Sequence, residues 1–190
     1  MNRRLLSLFL LGLIFAMPLY AGRKRGPDRL VDSDEYKEGE FEKGIIEDYS
    51  DMVEGDGVEW VYLSEGLKLS SYKIDLGEFK NVSSITNSDM IEALEEGFPN
   101  AFRRIGLKGS AGTLKAESAV YWAERASQGK KWIPYAGGHL AQAGVGLEMV
   151  LRDSSGKVVA KLRHSTRQGE QLDEAAEEIV DDIADFIRKN

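Results

Sequence analysis

The chain has 190 residues, 42% hydrophobic and 30% charged, a balance that suits one packed domain with extensions rather than a disordered chain. Its formal net charge is −7; setting aside the first 21 residues removes Arg3 and Arg4 and leaves 23 basic against 32 acidic side chains, or −9. Such a surface repels nucleic-acid phosphates and anionic membranes. There is no cysteine, which excludes disulfides, thiolate metal sites and cysteine nucleophiles.

The first element is a leader. Asn2-Arg3-Arg4 is a positive start, Leu5 to Phe15 is an apolar run broken only by Ser7 and Gly12, and Ala16 to Ala21 brings Pro18 and a small residue before Gly22. These are the three parts of a secretory signal, with cleavage expected after Ala21. The run is short for a span of roughly 20 residues. The alternative is an uncleaved inner-membrane anchor, favoured by Arg23-Lys24-Arg25, since positive charge resists translocation. Residues 22–44 alternate in charge sign and hold few apolar side chains, so they are expected to form a flexible linker. A single domain is expected over residues 45–190.

Within it, Ile45 to Met52 is a short amphipathic piece and Glu54-Gly55-Asp56-Gly57 a turn. Val58 to Leu63 is rich in β-branched and aromatic residues, and Tyr72 to Phe79 alternates with a period of two; both read as strands. Thr86 to Gly106 reads as a helix with Ile91, Leu94, Phe98, Phe102 and Ile105 in one stripe, capped by Thr86 or Ser88 and kinked or broken at Pro99. Leu114 to Trp122, Leu140 to Leu151 and Val158 to His164 read as strands, the last two joined by an Asp153-Ser154-Ser155-Gly156 turn. Gln171 to Lys189 is a second helix, acidic at its start and basic at its end, with Ala176, Ile179, Val180, Ile183 and Ile187 buried. The expected fold class is α+β: a two-layer sandwich, order β-β-α-β-β-β-α, with about five largely antiparallel strands and both helices on one face.

Several segments together resemble a bacterial domain-of-unknown-function family of envelope proteins and lipoproteins. Ile45-Ile46-Glu47-Asp48-Tyr49-Ser50-Asp51-Met52 resembles its FLxDYSxL opening, and Leu69-Ser70-Ser71-Tyr72-Lys73 its dLskYk motif. Ala143 to Ala160 resembles its late GxAxVExxLxDsxTGxxVA hairpin. The resemblance implies an envelope setting and no particular activity. Ala21-Gly22 stands where lipoprotein members carry a lipidated cysteine, which favours a soluble secreted form.

Candidate chemistry is sparse. His139 and His164 are the only histidines, and neither G-x-S-x-G nor S-x-x-K marks a serine nucleophile. Asp181, Asp182 and Asp185 read as the solvated face of the last helix. Gly144-x-Gly146 lies inside a strand, where glycine marks a bulge or the close approach of a helix. No catalytic residue, metal or cofactor is assigned. The best contact surface is the loop holding Lys130, Lys131, Trp132, Tyr135 and His139, which sets two cations beside two aromatic rings. The expected function is a periplasmic or secreted non-catalytic module that binds an envelope protein or a small ligand, with no nucleic-acid partner and no stable membrane anchor after cleavage. The alternatives are a secreted hydrolase with a carboxylate-based site and a structural subunit of an envelope assembly.

Overall fold

The computed structural model describes residues 26–37, 39–127 and 141–190. Its strands are β1 (Val53–Glu54), β2 (Trp60–Leu63), β3 (Lys73–Asn81), β4 (Thr113–Glu124), β5 (Gly144–Arg152) and β6 (Val158–Arg167). They form one six-stranded sheet in the order β1-β2-β6-β5-β4-β3. All neighbours are antiparallel except β3 and β4. The parallel pair follows from the helix between them, because a strand–helix–strand crossover returns the chain in the same direction. The sixth strand beyond the expected five is β1, too short to show a period. It is held from outside, where Glu54 N donates to Asp28 O and Arg29 bridges Val53.

Two helices, α1 (Ser88–Ile105) and α2 (Leu172–Lys189), lie on one face of the sheet. Asn87 caps α1, its side chain accepting from Met90 N; neither Thr86 nor Ser88 does so. Pro99 does not break the helix. It sits on the exposed side, so the carbonyl that loses a donor there meets water. The predicted stripes are the ones buried: Leu94, Phe98 and Phe102 from α1 meet Ile179, Val180 and Ile183 from α2 over Val145, Leu147, Met149 and Leu151 of β5. A β-carbon on Gly97 would stand 3.2 Å from Val180 Cγ2, so this glycine sets how closely the helices approach.

The opposite face is also covered, which makes the sheet the middle of three layers rather than one of two. Residues 26–37 and 39–52 run across it as a strap. Leu30, Ile46, Tyr49 and Met52 are buried against Trp60 and Val150, with Tyr36 and Phe41 packed beside them. The stretch expected as a mobile linker is therefore folded against the sheet from Leu30 onward, because its few apolar side chains all find that face. This second cover explains why β5 is buried on both sides from Gly144 to Leu151. Among the described residues no helix is long and apolar enough to cross a membrane.

Candidate functional site

The strap-covered face carries the polar chemistry. Strand parity puts Lys161, Arg163, Ser165 and Arg167 of β6 on this side, and Leu162 and His164 on the helix side. On β4 the register shifts between Val120 and Trp122, and this bulge brings the consecutive rings of Tyr121 and Trp122 to one face. Both lie across glycines of β5. A β-carbon on Gly146 would stand 2.5 Å from Tyr121 Cζ, and one on Gly144 would overlap Trp122 Cη2. The close approach expected at these glycines is made by aromatic rings rather than by a helix. Arginines from β6 complete the stack: the Arg163 guanidinium carbon lies 3.5 Å from the Tyr121 ring centre and that of Arg167 lies 4.7 Å from the Trp122 ring centre.

At the centre stands Glu148, with 0% exposure, ion-paired to Arg163, with 6%. The carboxylate is fully subscribed. Oε2 accepts from Ile45 N at 2.7 Å and Ile46 N at 2.9 Å, while Oε1 accepts from the Tyr49 hydroxyl at 2.8 Å and from Arg163. Arg163 is sandwiched between Phe41, at 4.1 Å, and Tyr121, and donates to Glu42 O. Burial first, then the Glu148 charge, pushes the Tyr49 hydroxyl well above its ordinary pKa, so it remains a donor. Gly44 makes the approach possible, since a β-carbon there would overlap Glu148 Oε2. Lys161 adds a second tie, donating to Asp48 O and to the Asp51 carboxylate. These contacts hold the strap down; none leaves a charged group free for chemistry.

Beside this clasp an open groove runs along the strap. One void, about 760 Å³, is lined by Asp28, Asp32, Asp34, Glu35, Glu54, Glu59 and Trp60 among others; a second, about 380 Å³, by Glu59, Tyr121, Trp122, Ser165 and Arg167. Glu35 and Glu59 line both. Glu35 accepts from the Trp60 indole N–H at 3.0 Å. Glu59 accepts from the Ser165 hydroxyl at 2.9 and 3.0 Å. Burial pushes the Glu59 carboxyl above its ordinary value, and nearby Glu35 adds to the push while Ser165 and His164 oppose it. The groove therefore offers carboxylate acceptors at one end, while Tyr121 and Trp122, stacked on their arginines, line the other.

Lys130, Lys131, Trp132, Tyr135 and His139 lie outside the described residues. His164 points to the helices: its Nε2 meets Asp182 at 3.0 Å, and its Nδ1 accepts from Glu59 N at 3.3 Å. That pairing sets the proton on Nε2 and leaves no ring lone pair for a nucleophile. Ser165 is on the other face of the sheet, so it and His164 cannot act as a pair. The three aspartates Asp181, Asp182 and Asp185 of the last helix go separate ways, to Arg104, His164 and Arg188 respectively. No group of three His, Asp or Glu suited to a metal ion occurs among the described residues. The sequence reading missed Glu148, Arg163 and Glu59. The advance signal lay in the glycines, since Gly44 makes room for Glu148 while Gly146 and Gly144 make room for the neighbouring Tyr121 and Trp122.

No family model matches the chain, and no curated protein matches it in sequence. Two solved structures share part of its shape. A PelC dodecamer from Paraburkholderia phytofirmans is 16% identical, covering 67% of this chain and 94% of that one, with a TM-score of 0.45. A PDZ domain protein from Parabacteroides distasonis is 13% identical, covering 64% of this chain and 33% of that one, with a TM-score of 0.33. Neither likeness is close enough to carry a functional argument.

Proposed function

We propose that the chain is an exported, non-catalytic binding module of a bacterial envelope, and that its groove receives a cationic group of a partner protein or small ligand. The observation that carries this reading is the pair Glu35 and Glu59, which lines both halves of the groove beside the indole of Trp60. Carboxylates accept hydrogen bonds and donate none, and partial burial strengthens their pull on a positive donor. The rings of Tyr121 and Trp122 already stack on Arg163 and Arg167, so the attraction for the incoming cation rests on the carboxylates. The export step rests on the leader ending at Ala21, and contacts by the loop 128–139 belong to the same reading.

The test is a titration of the chain with a hexalysine peptide, following the Trp60 indole N–H signal by NMR. Saturable shifts that weaken with added salt and in the Glu35→Gln and Glu59→Gln variants support the proposal. An indole signal that stays still overturns it.

A second reading, a carboxylate-based hydrolase, rests on the raised pKa of Glu59 beside Glu35, a combination suited to a general acid. It requires turnover with a pH profile that loses its alkaline limb in the Glu59→Gln variant, because a general acid acts only while protonated. Absence of turnover on glycoside and ester substrates leaves the binding module.

A further inference from the structure

The free edge of the sheet on the α1 side belongs to β3. Lys73 N donates to Gly112 O, and Val82 N donates to Val120 O, so both aim their amides toward β4. Backbone direction alternates along a strand. Ile74 and Leu76 therefore point their backbone groups away from β4, and so do Asn81 and Phe79. The two runs agree only because the register slips between Leu76 and Phe79, where Gly77-Glu78 inserts one extra residue. Without that bulge, Ile74 and Asn81 would face opposite sides. Among the described residues no backbone hydrogen bond reaches these four outward positions.

The geometry points to a homodimer in which two copies of this edge pair antiparallel, about a two-fold axis between Gly77 and Glu78. Only one antiparallel register gives every outward residue an outward partner: Ile74 opposite Asn81, and Leu76 opposite Phe79. That register was fixed by backbone direction alone, yet it also matches the side chains. It sets Asp75 opposite Lys80 of the second copy, twice, at the non-hydrogen-bonded positions where side chains stand closest. Both are exposed in the single chain. Leu76 and Phe79 meet on the helix face, where both already join the core. Val82, at 50% the one exposed large apolar residue among those described, falls opposite Lys73, whose methylene stem can cover it.

Lysines and a bulge on an edge ordinarily deter pairing with stray strands. Here they also form a self-complementary pattern, since Lys80 meets Asp75 rather than another lysine. The interface is isologous, so it closes on itself and leaves no β3 edge open to further addition.

The test is sedimentation equilibrium on the full chain as recovered from its producing cells, with charge reversals at the two exposed positions. A monomer–dimer equilibrium is expected. Asp75→Lys and Lys80→Asp each weaken the dimer about tenfold or more, and the double variant restores it. Hydrogen exchange at Ile74, Leu76, Phe79 and Asn81 slows with concentration in the original chain. A chain that stays monomeric up to about millimolar concentration overturns the proposal. So does a dimer indifferent to both single reversals, or one that the double variant fails to restore.

Discussion

Glu148→Gln is the sharpest perturbation of the clasp. The side chain keeps its shape, loses its charge, and exchanges one acceptor oxygen for an NH2 group. In the native protein one oxygen serves Ile45 N and Ile46 N, and the other serves Tyr49 and Arg163. Glutamine can satisfy the first pair only by aiming its NH2 at Arg163. Turned around, it faces two backbone N–H groups with a third donor. In either pose the guanidinium, 6% exposed, stays buried without a countercharge. Breaking a buried ion pair from one side costs about 3–5 kcal/mol. For a domain of this size that corresponds to a fall in Tm of about 6–20 °C. Urea unfolding followed by tryptophan fluorescence measures it, and the double variant with Arg163→Met supplies the coupling. The double variant is expected to lose less than the sum of the two single changes. A loss below about 1 kcal/mol for Glu148→Gln would refute the reasoning, because it would mean that water already reaches the pair.

Three further outcomes follow from the same geometry. Gly146→Ala drives a β-carbon to 2.5 Å from Tyr121 and is expected to cost about 1–3 kcal/mol in urea unfolding, whereas Gly26→Ala, where nothing lies within 4 Å and the backbone is not in the left-handed region, has no such clash. Asn87→Ala removes the α1 cap and costs about 0.5–2 kcal/mol by the same measurement, with Asn87→Ser largely restoring it. Glu59 carries a raised pKa, so the folded state holds its proton more tightly than the unfolded chain does. Its contribution is therefore neutral below the unfolded pKa and turns unfavourable as pH rises toward and past the folded one. Relative to the original chain, Glu59→Gln should gain stability as unfolding is measured at successively higher pH from the acid side of the unfolded carboxyl pKa to neutrality. A difference that is flat with pH would contradict the shift.

The parts of this fold that were readable in the sequence are those governed by local period. The stripes of both helices depend on neighbours three or four residues away, and their central members, Leu94, Phe98 and Phe102 of α1 and Ile179, Val180 and Ile183 of α2, are buried, whereas the period of two read over Tyr72 to Phe79 holds only as far as Leu76, where the bulge shifts it. The strap was not readable for the converse reason. Leu30, Tyr36 and Phe41 are isolated among charges, and no repeat joins them; they become a layer only because a distant sheet face accepts them one at a time. Glu148 and Arg163 looked like ordinary polar positions in a half-exposed hairpin, which they would be without the strap above them. His164, which no sequence motif marks as a base, has its two nitrogens engaged by Asp182 and by the Glu59 amide. Pro99 looked like a helix break, but only its exposure decides whether the lost donor matters.

The tie between Glu148 and the strap spans 103 residues to Ile45 and 99 to Tyr49, and Arg163 reaches back 121 residues to Glu42. A polypeptide delivered from its amino end thus presents the lid long before the surface it closes upon. Leu30 and Ile46 must wait, wetted, until the final hairpin has been supplied. Such distant closures make folding slow. The order of synthesis therefore leaves the early portion without its partners until the last third of the molecule has been supplied.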